Sequence, residues 1–150
     1  MNFLQKVMSF FNCRKPPTFS ELWERLENPS FLITLLETSL LGGTLHIFMF
    51  WESGIGHFFE EANMNFSDGE IRFTNQSEFS PEEFGRLKSE ITRLDQQRLK
   101  HYSSGIKDGV DYCICWGTLQ DAREVTANNP QSDSRHGELV LLLKQAVPSV

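Results

Sequence analysis

The sequence predicts an α+β fold: N-terminal helices, then a mostly antiparallel sheet of about four strands covered by one long helix over residues 80–104. Three observations carry this expectation. Residues 80–104 keep apolar side chains at helical spacing between a start signal and a stop signal. The runs 44–51 and 110–117 are β-branched and aromatic, short, and bounded by glycines. The first forty residues are built from apolar segments of helical period.

Taken in order, residues 1–12 place Phe3, Leu4, Val7, Met8, Phe10 and Phe11 on one broad helical face, and Cys13-Arg14-Lys15-Pro16-Pro17 follows as a hinge. The expected organisation is therefore a short amphipathic helix with a proline hinge over residues 1–17 and a single α+β domain over 18–150. Residues 1–12 are a poor signal peptide, because Lys6 interrupts the apolar region and the basic residues follow it. The expected role of this helix is to pack on the domain. Membrane contact through residues 1–12, with Cys13 as an acylation site, is the alternative.

Residues 18–27 read as a second helix, capped by Thr18 with Glu21 three residues on, and with Phe19, Leu22, Trp23 and Leu26 at core spacing. Asn28-Pro29 ends it and opens a third helix over residues 29–41, apolar around most of its circumference and stopped by Gly42-Gly43. Residues 44–51, TLHIFMFW, form a strand with two largely apolar faces, which belongs inside a covered sheet. Residues 69–75 form another, with Ile71 and Phe73 alternating against Arg72 and Thr74, and this strand lies nearer an edge.

The long helix starts at Ser80, with Pro81 in the first turn and Glu83 positioned to close a capping box, and Gly105 offers its stop. At roughly 100° per residue, Phe84, Leu87, Ile91, Leu94, Leu99 and Tyr102 share an arc of about 140°. Asp95 and Arg98 interrupt that stripe and, three apart, pair with each other at an emerging helix end. Residues 110–117 are a strand with Val110, Tyr112, Ile114 and Trp116 on one face and Asp111, Cys113 and Cys115 on the other. Residues 123–127 add a short piece, 128–137 are a polar loop, and 138–147, ELVLLLKQAV, read as a buried strand although Leu, Lys, Gln and Ala also favour helix.

With 150 residues, the chain fits one domain and needs no disulfide or metal to bury a core. A hydrophobic content of 39% with thirteen Phe excludes a disordered chain. The net charge of −6 argues against nucleic acid, which needs clustered Lys and Arg, and suits a basic protein partner. Three cysteines cannot pair completely and no CxxC occurs, so a reducing, cytoplasmic setting is expected. No uncharged apolar run reaches the roughly 18 residues of a membrane span, so a soluble protein is expected.

Cys113 and Cys115 share a strand face, but a zinc site needs about four ligands, normally from two closely spaced pairs. His46 would join them only if their strands paired. Both cysteines are therefore expected in the core, and Cys115 lacks the base that a nucleophile needs. If residues 56–62 are helical, His57 and Glu61 share a face at i, i+4, though a metalloprotease helix needs two His. Residues 63–69 miss the glycine and glutamate positions of a calcium loop, and Gly54-Ile55-Gly56 lacks the third glycine of a dinucleotide fingerprint. No catalytic residue, metal or cofactor is expected. The expected partner-binding residues are Trp51, Glu52, His57, Glu60 and Glu61, gathered around a glycine-flexed turn. The expected function is binding another protein in an inhibitor, immunity-type or adaptor role. A metal- or thiol-dependent enzyme using His57, Glu60, Glu61 or Cys115 is the alternative.

Overall fold

The computed structural model describes residues 15–39, 43–106 and 109–148, and the amphipathic segment expected over residues 1–12 lies outside them. Seven strands form one mixed sheet: β1 (Pro29–Ser39), β2 (Thr44–Ser53), β3 (Gly56–Asn65), β4 (Ile71–Glu78), β5 (Tyr102–Ser103), β6 (Val110–Gly117) and β7 (Ala122–Asn128). Three short helices, α1 (Phe19–Glu24), α2 (Pro81–Leu94) and α3 (Arg135–Gln145), complete the described chain. The strand order is β4-β3-β2-β1-β6-β7-β5. All neighbours are antiparallel except β5, which runs parallel to β7.

This architecture overturns the expected N-terminal helices and four-stranded sheet under one long helix. Residues 29–41 are not a helix, because they supply the central strand β1, hydrogen-bonded to β2 on one side and to β6 on the other. Leu32 through Leu36 are all buried, since a central strand covered on both faces has no polar alternation to display. Residues 138–147 are not a strand: α3 runs there, capped by the Ser134 hydroxyl, which accepts the Gly137 N–H. Its buried side chains Leu139, Val140 and Leu143 keep helical spacing.

The long helix stops at Leu94, ten residues early. There the Asp95 carboxylate accepts the Leu99 N–H at 2.8 Å, and Arg98 turns the chain at a φ of 58°. Asp95 does not pair with Arg98. Its partner is Arg123 on β7, whose Nε and Nη2 donate to it at 2.9 and 3.0 Å. Leu99 still packs against the core, but from beyond the end of the helix. The Ser80 cap forms as expected, and the Thr18–Glu21 capping box closes at both ends. The strands expected over 44–51, 69–75, 110–117 and 123–127 are present as β2, β4, β6 and β7.

Two cores result. One face of the sheet packs α2 and α3 around Phe48, Phe50, Phe59, Phe84 and Leu139. On the opposite face Leu22 of α1 packs on Leu32, Ile47, Met49 and Met64, flanked by the half-buried Phe19 and Trp23. Among the described residues no helix is long and apolar enough to cross a membrane.

Candidate functional site

The five residues expected to bind a partner divide between the two faces of the sheet. Glu52 and His57 stand opposite each other in the β2–β3 hairpin, with His57 Nε2 3.8 Å from Glu52 Oε1. Lys88 Nζ of α2 lies 3.5 Å from Glu52 Oε2, and the His57 ring sits 5.2 Å from Phe84, so this pair joins the hairpin to α2. Glu61 shares that face and is half-buried. Residues 56–62 are strand, so the helical pairing of His57 with Glu61 does not form; four residues apart on a strand places them roughly 13 Å apart. Trp51 and Glu60 face α1 instead. Trp51 stacks on Phe58 with centroids 5.4 Å apart.

Glu60 is 4% exposed, an unusual position for a carboxylate unless it is paired. Gln76 Nε2 of β4 donates to its Oε1 at 2.6 Å, and Arg25 Nη1, just past α1, lies 3.7 Å from its Oε2. The Arg25 guanidinium also lies 4.0 Å above the Phe73 ring on β4. Phe73 reaches this face through a bulge. Glu61 pairs with Asn75 and Ala62 with Phe73, which leaves Thr74 as the extra residue. Without that insertion Phe73 and Ile71 would point to the opposite face.

The outward ladder of β4 has no strand partner among the described residues. The other edge of the sheet is treated differently. There β5 pairs with β7, the Thr126 N–H donates to His101 Nδ1 at 3.1 Å, and Arg123 holds Asp95 and the Leu99 carbonyl. His101 Nδ1 therefore accepts.

A second constellation lies on the α1 face under β6 and β7. Cys113 and Cys115 point there as their alternation requires, and Cys115 stands opposite Glu124 of β7. The Cys113 thiol donates to Glu124 Oε1 at 3.3 Å, and the two Sγ atoms and a carboxylate oxygen all lie within 4.8 Å of one another. Cys115 is buried and Cys113 half-buried, and both line a cavity of about 480 Å³ bounded by Thr34, Thr38 and the residues leading into α1. A larger cavity of about 970 Å³ shares Pro16, Thr38 and Cys113 with it. The thiols titrate as a pair. The neighbouring Cys113 draws the Cys115 thiol below its ordinary value, while the neighbouring Cys115 sulfur, burial and the Glu124 charge push Cys113 up. His46 does not join them. Strand β1 separates β2 from β6, and His46 Nδ1 lies 3.4 Å from Glu37 Oε1.

Sequence spacing missed Glu124, Phe73, Arg25 and Gln76. For Glu124 the alternation of residues 122–128 was available, but the register that sets it opposite Cys115 was not. No family model matches this chain, and no curated protein matches it. Function therefore rests on what these sites can do, since a fold by itself does not specify one.

Proposed function

We propose that the protein acts by binding another protein, in an inhibitor or adaptor role, and that the partner adds an extended segment to the edge of β4. The observation that carries this reading is the contrast between the two sheet edges. Natural sheets cover or blunt their edges, because an unpaired ladder recruits strands. Here the β7 edge is covered by residues 99–103, while β4, paired with β3 on one side, offers eight residues with no strand on its outer side among the described residues. In strand addition the main-chain ladder supplies affinity and alternate side chains supply specificity.

The side chains beside this edge suit that role. Phe73 is 39% exposed, with Arg25 stacked on it and held by Glu60. Aromatic and arginine side chains dominate binding energy at interfaces. Glu60 thus contributes by positioning Arg25 and Gln76 rather than by touching a partner. The bulge at Thr74 and the charges of Arg72 and Glu78 limit indiscriminate pairing, which favours one register. The net charge of −6 favours a basic partner through faster encounter.

The test begins with native mass spectrometry of protein purified gently from its own source, followed by hydrogen exchange on any complex found. Protection of the β4 amides, together with more than about tenfold weaker binding by Phe73→Ala, supports strand addition. A complex that leaves β4 exchange unchanged, or one indifferent to Phe73→Ala, removes this edge from the mechanism.

A further inference from the structure

We propose that Cys113, Cys115 and Glu124 form a binding site for a thiophilic divalent cation, zinc first among them, with a fourth coordination position open to the adjoining cavity. The site is independent of the β4 edge and goes beyond partner binding.

The donor set and its geometry argue for a metal rather than a disulfide. Two cysteines at i, i+2 on one strand face have Cβ atoms roughly 6.7 Å apart, whereas a disulfide needs about 3.5–4.5 Å. That backbone spacing is too wide for a disulfide although the sulfurs converge, and the pair stands as two free thiols. Tetrahedral zinc, with bonds of about 2.3 Å to sulfur and about 2.1 Å to oxygen, places its donor atoms roughly 3.6–3.8 Å apart. The three donor atoms here already lie within 4.8 Å, and one contact is 3.3 Å. Rotamer adjustment closes that difference without moving a strand.

The two donor strands are hydrogen-bonded antiparallel neighbours, which fixes the Cys115–Glu124 pair by register. Sites carried on strands hold geometry better than sites carried on loops. Charge points the same way. Among the described residues no lysine or arginine side chain pairs with the Glu124 carboxylate, and Arg123 beside it is committed to Asp95 on the opposite face. Two thiols facing an unpaired carboxylate form a pocket that a cation neutralises. The cavity of about 480 Å³ on the open side leaves room for water or a ligand as the fourth donor.

The experiment uses the full chain, reduced, carrying Cys13→Ser so that every thiolate signal comes from this pair. Cobalt(II) is titrated as a spectroscopic stand-in, and zinc is then added with a competing chromophoric chelator. The expected result is one equivalent of cobalt, an intense thiolate-to-cobalt charge-transfer absorbance, and its loss on adding zinc. Glu124→Gln, at an exposed position, is expected to weaken zinc by at least about tenfold with circular dichroism unchanged. Cys113→Ser with Cys115→Ser is expected to abolish the absorbance. Absence of charge transfer at saturating cobalt overturns the proposal and needs no folded variant to be read. So does absorbance that survives the double substitution, or a titration showing fewer than two free thiols without reductant.

Discussion

Asp95 does three things at once: it ends α2, accepts the Leu99 N–H, and receives two hydrogen bonds from Arg123. Burial raises its pKa, but the Arg123 hydrogen bonds, the Leu99 N–H and the Arg123 charge outweigh burial and hold it below the ordinary carboxylate value. Arg123 is correspondingly raised, first by its bond to Asp95. Arg123→Met is therefore expected to leave a half-buried carboxylate unpaired and to cost about 2 kcal/mol, measured by urea unfolding. Hydrogen exchange should also quicken in residues 99–103, which Arg123 ties to β7. A change under about 0.5 kcal/mol would show that the pair is solvated and contributes little. From spacing alone Arg98 is the expected partner, three residues away; the actual one is 28 residues on and reachable only after β7 docks. The cysteine pair divides in the same way. Its shared face was legible from alternation, whereas Glu124 entered only through register.

Two glycines in helices make opposite predictions at the scale of the element. Intrinsic propensity says that alanine stabilises both positions by about 0.5–1 kcal/mol. At Gly85 in α2 an added Cβ meets nothing within 4 Å, so Gly85→Ala is expected to raise the melting temperature by about 1–4 °C. At Gly137 in α3 that Cβ would stand 2.0 Å from the Gln131 carbonyl oxygen, so Gly137→Ala is expected to destabilise by about 1–3 kcal/mol. Thermal unfolding of the two variants decides, and a stabilised Gly137→Ala would mean that the loop before α3 yields freely. The same contest between local preference and packing explains the two exchanged elements. β1 is leucine-rich and buried on both faces, so its residues carry neither strand alternation nor a polar helical stripe. α3 exposes Leu141 at 49%, which hides its helical stripe inside an apolar run. β2, β6 and the caps at Thr18 and Ser80 were legible because their signals are local. The bulge at Thr74, which turns Phe73 toward Arg25, has no local mark at all.

At the scale of the molecule, β1 sits in the middle because β6 returns to it after the chain has built β2, β3, β4 and α2. The Thr34 hydroxyl donates to the Cys115 carbonyl across 81 residues of sequence, and no periodicity foretells such a closure. A polar network on the α2–α3 side fastens it. Glu37 of β1 receives Lys144 Nζ of α3 at 2.7 Å, lies 3.4 Å from His46 of β2, and stands opposite Tyr112 of β6. Burial raises the Glu37 pKa, but the Lys144 bond and charge, with Tyr112 and His46, leave it lowered. Tyr112 is pushed up to about 12, first by burial and then by the neighbouring Glu37 carboxylate. The two shifts give stability opposite limbs. The Glu37 and Asp95 contributions are complete above the ordinary carboxylate value of about 4 and are lost as pH falls through their lowered values. The Tyr112 contribution is complete below about 10 and is lost as pH rises toward about 12. Glu37→Gln is expected to flatten the acid limb and to lower the Tyr112 titration part of the way from about 12, since burial, the larger cause, remains. In a Tyr102→Phe background the phenolate absorbance reports Tyr112 alone, since the chain holds two tyrosines. An unmoved titration in Glu37→Gln would show that burial by itself raises Tyr112, and that Glu37 does not couple β1 to β6.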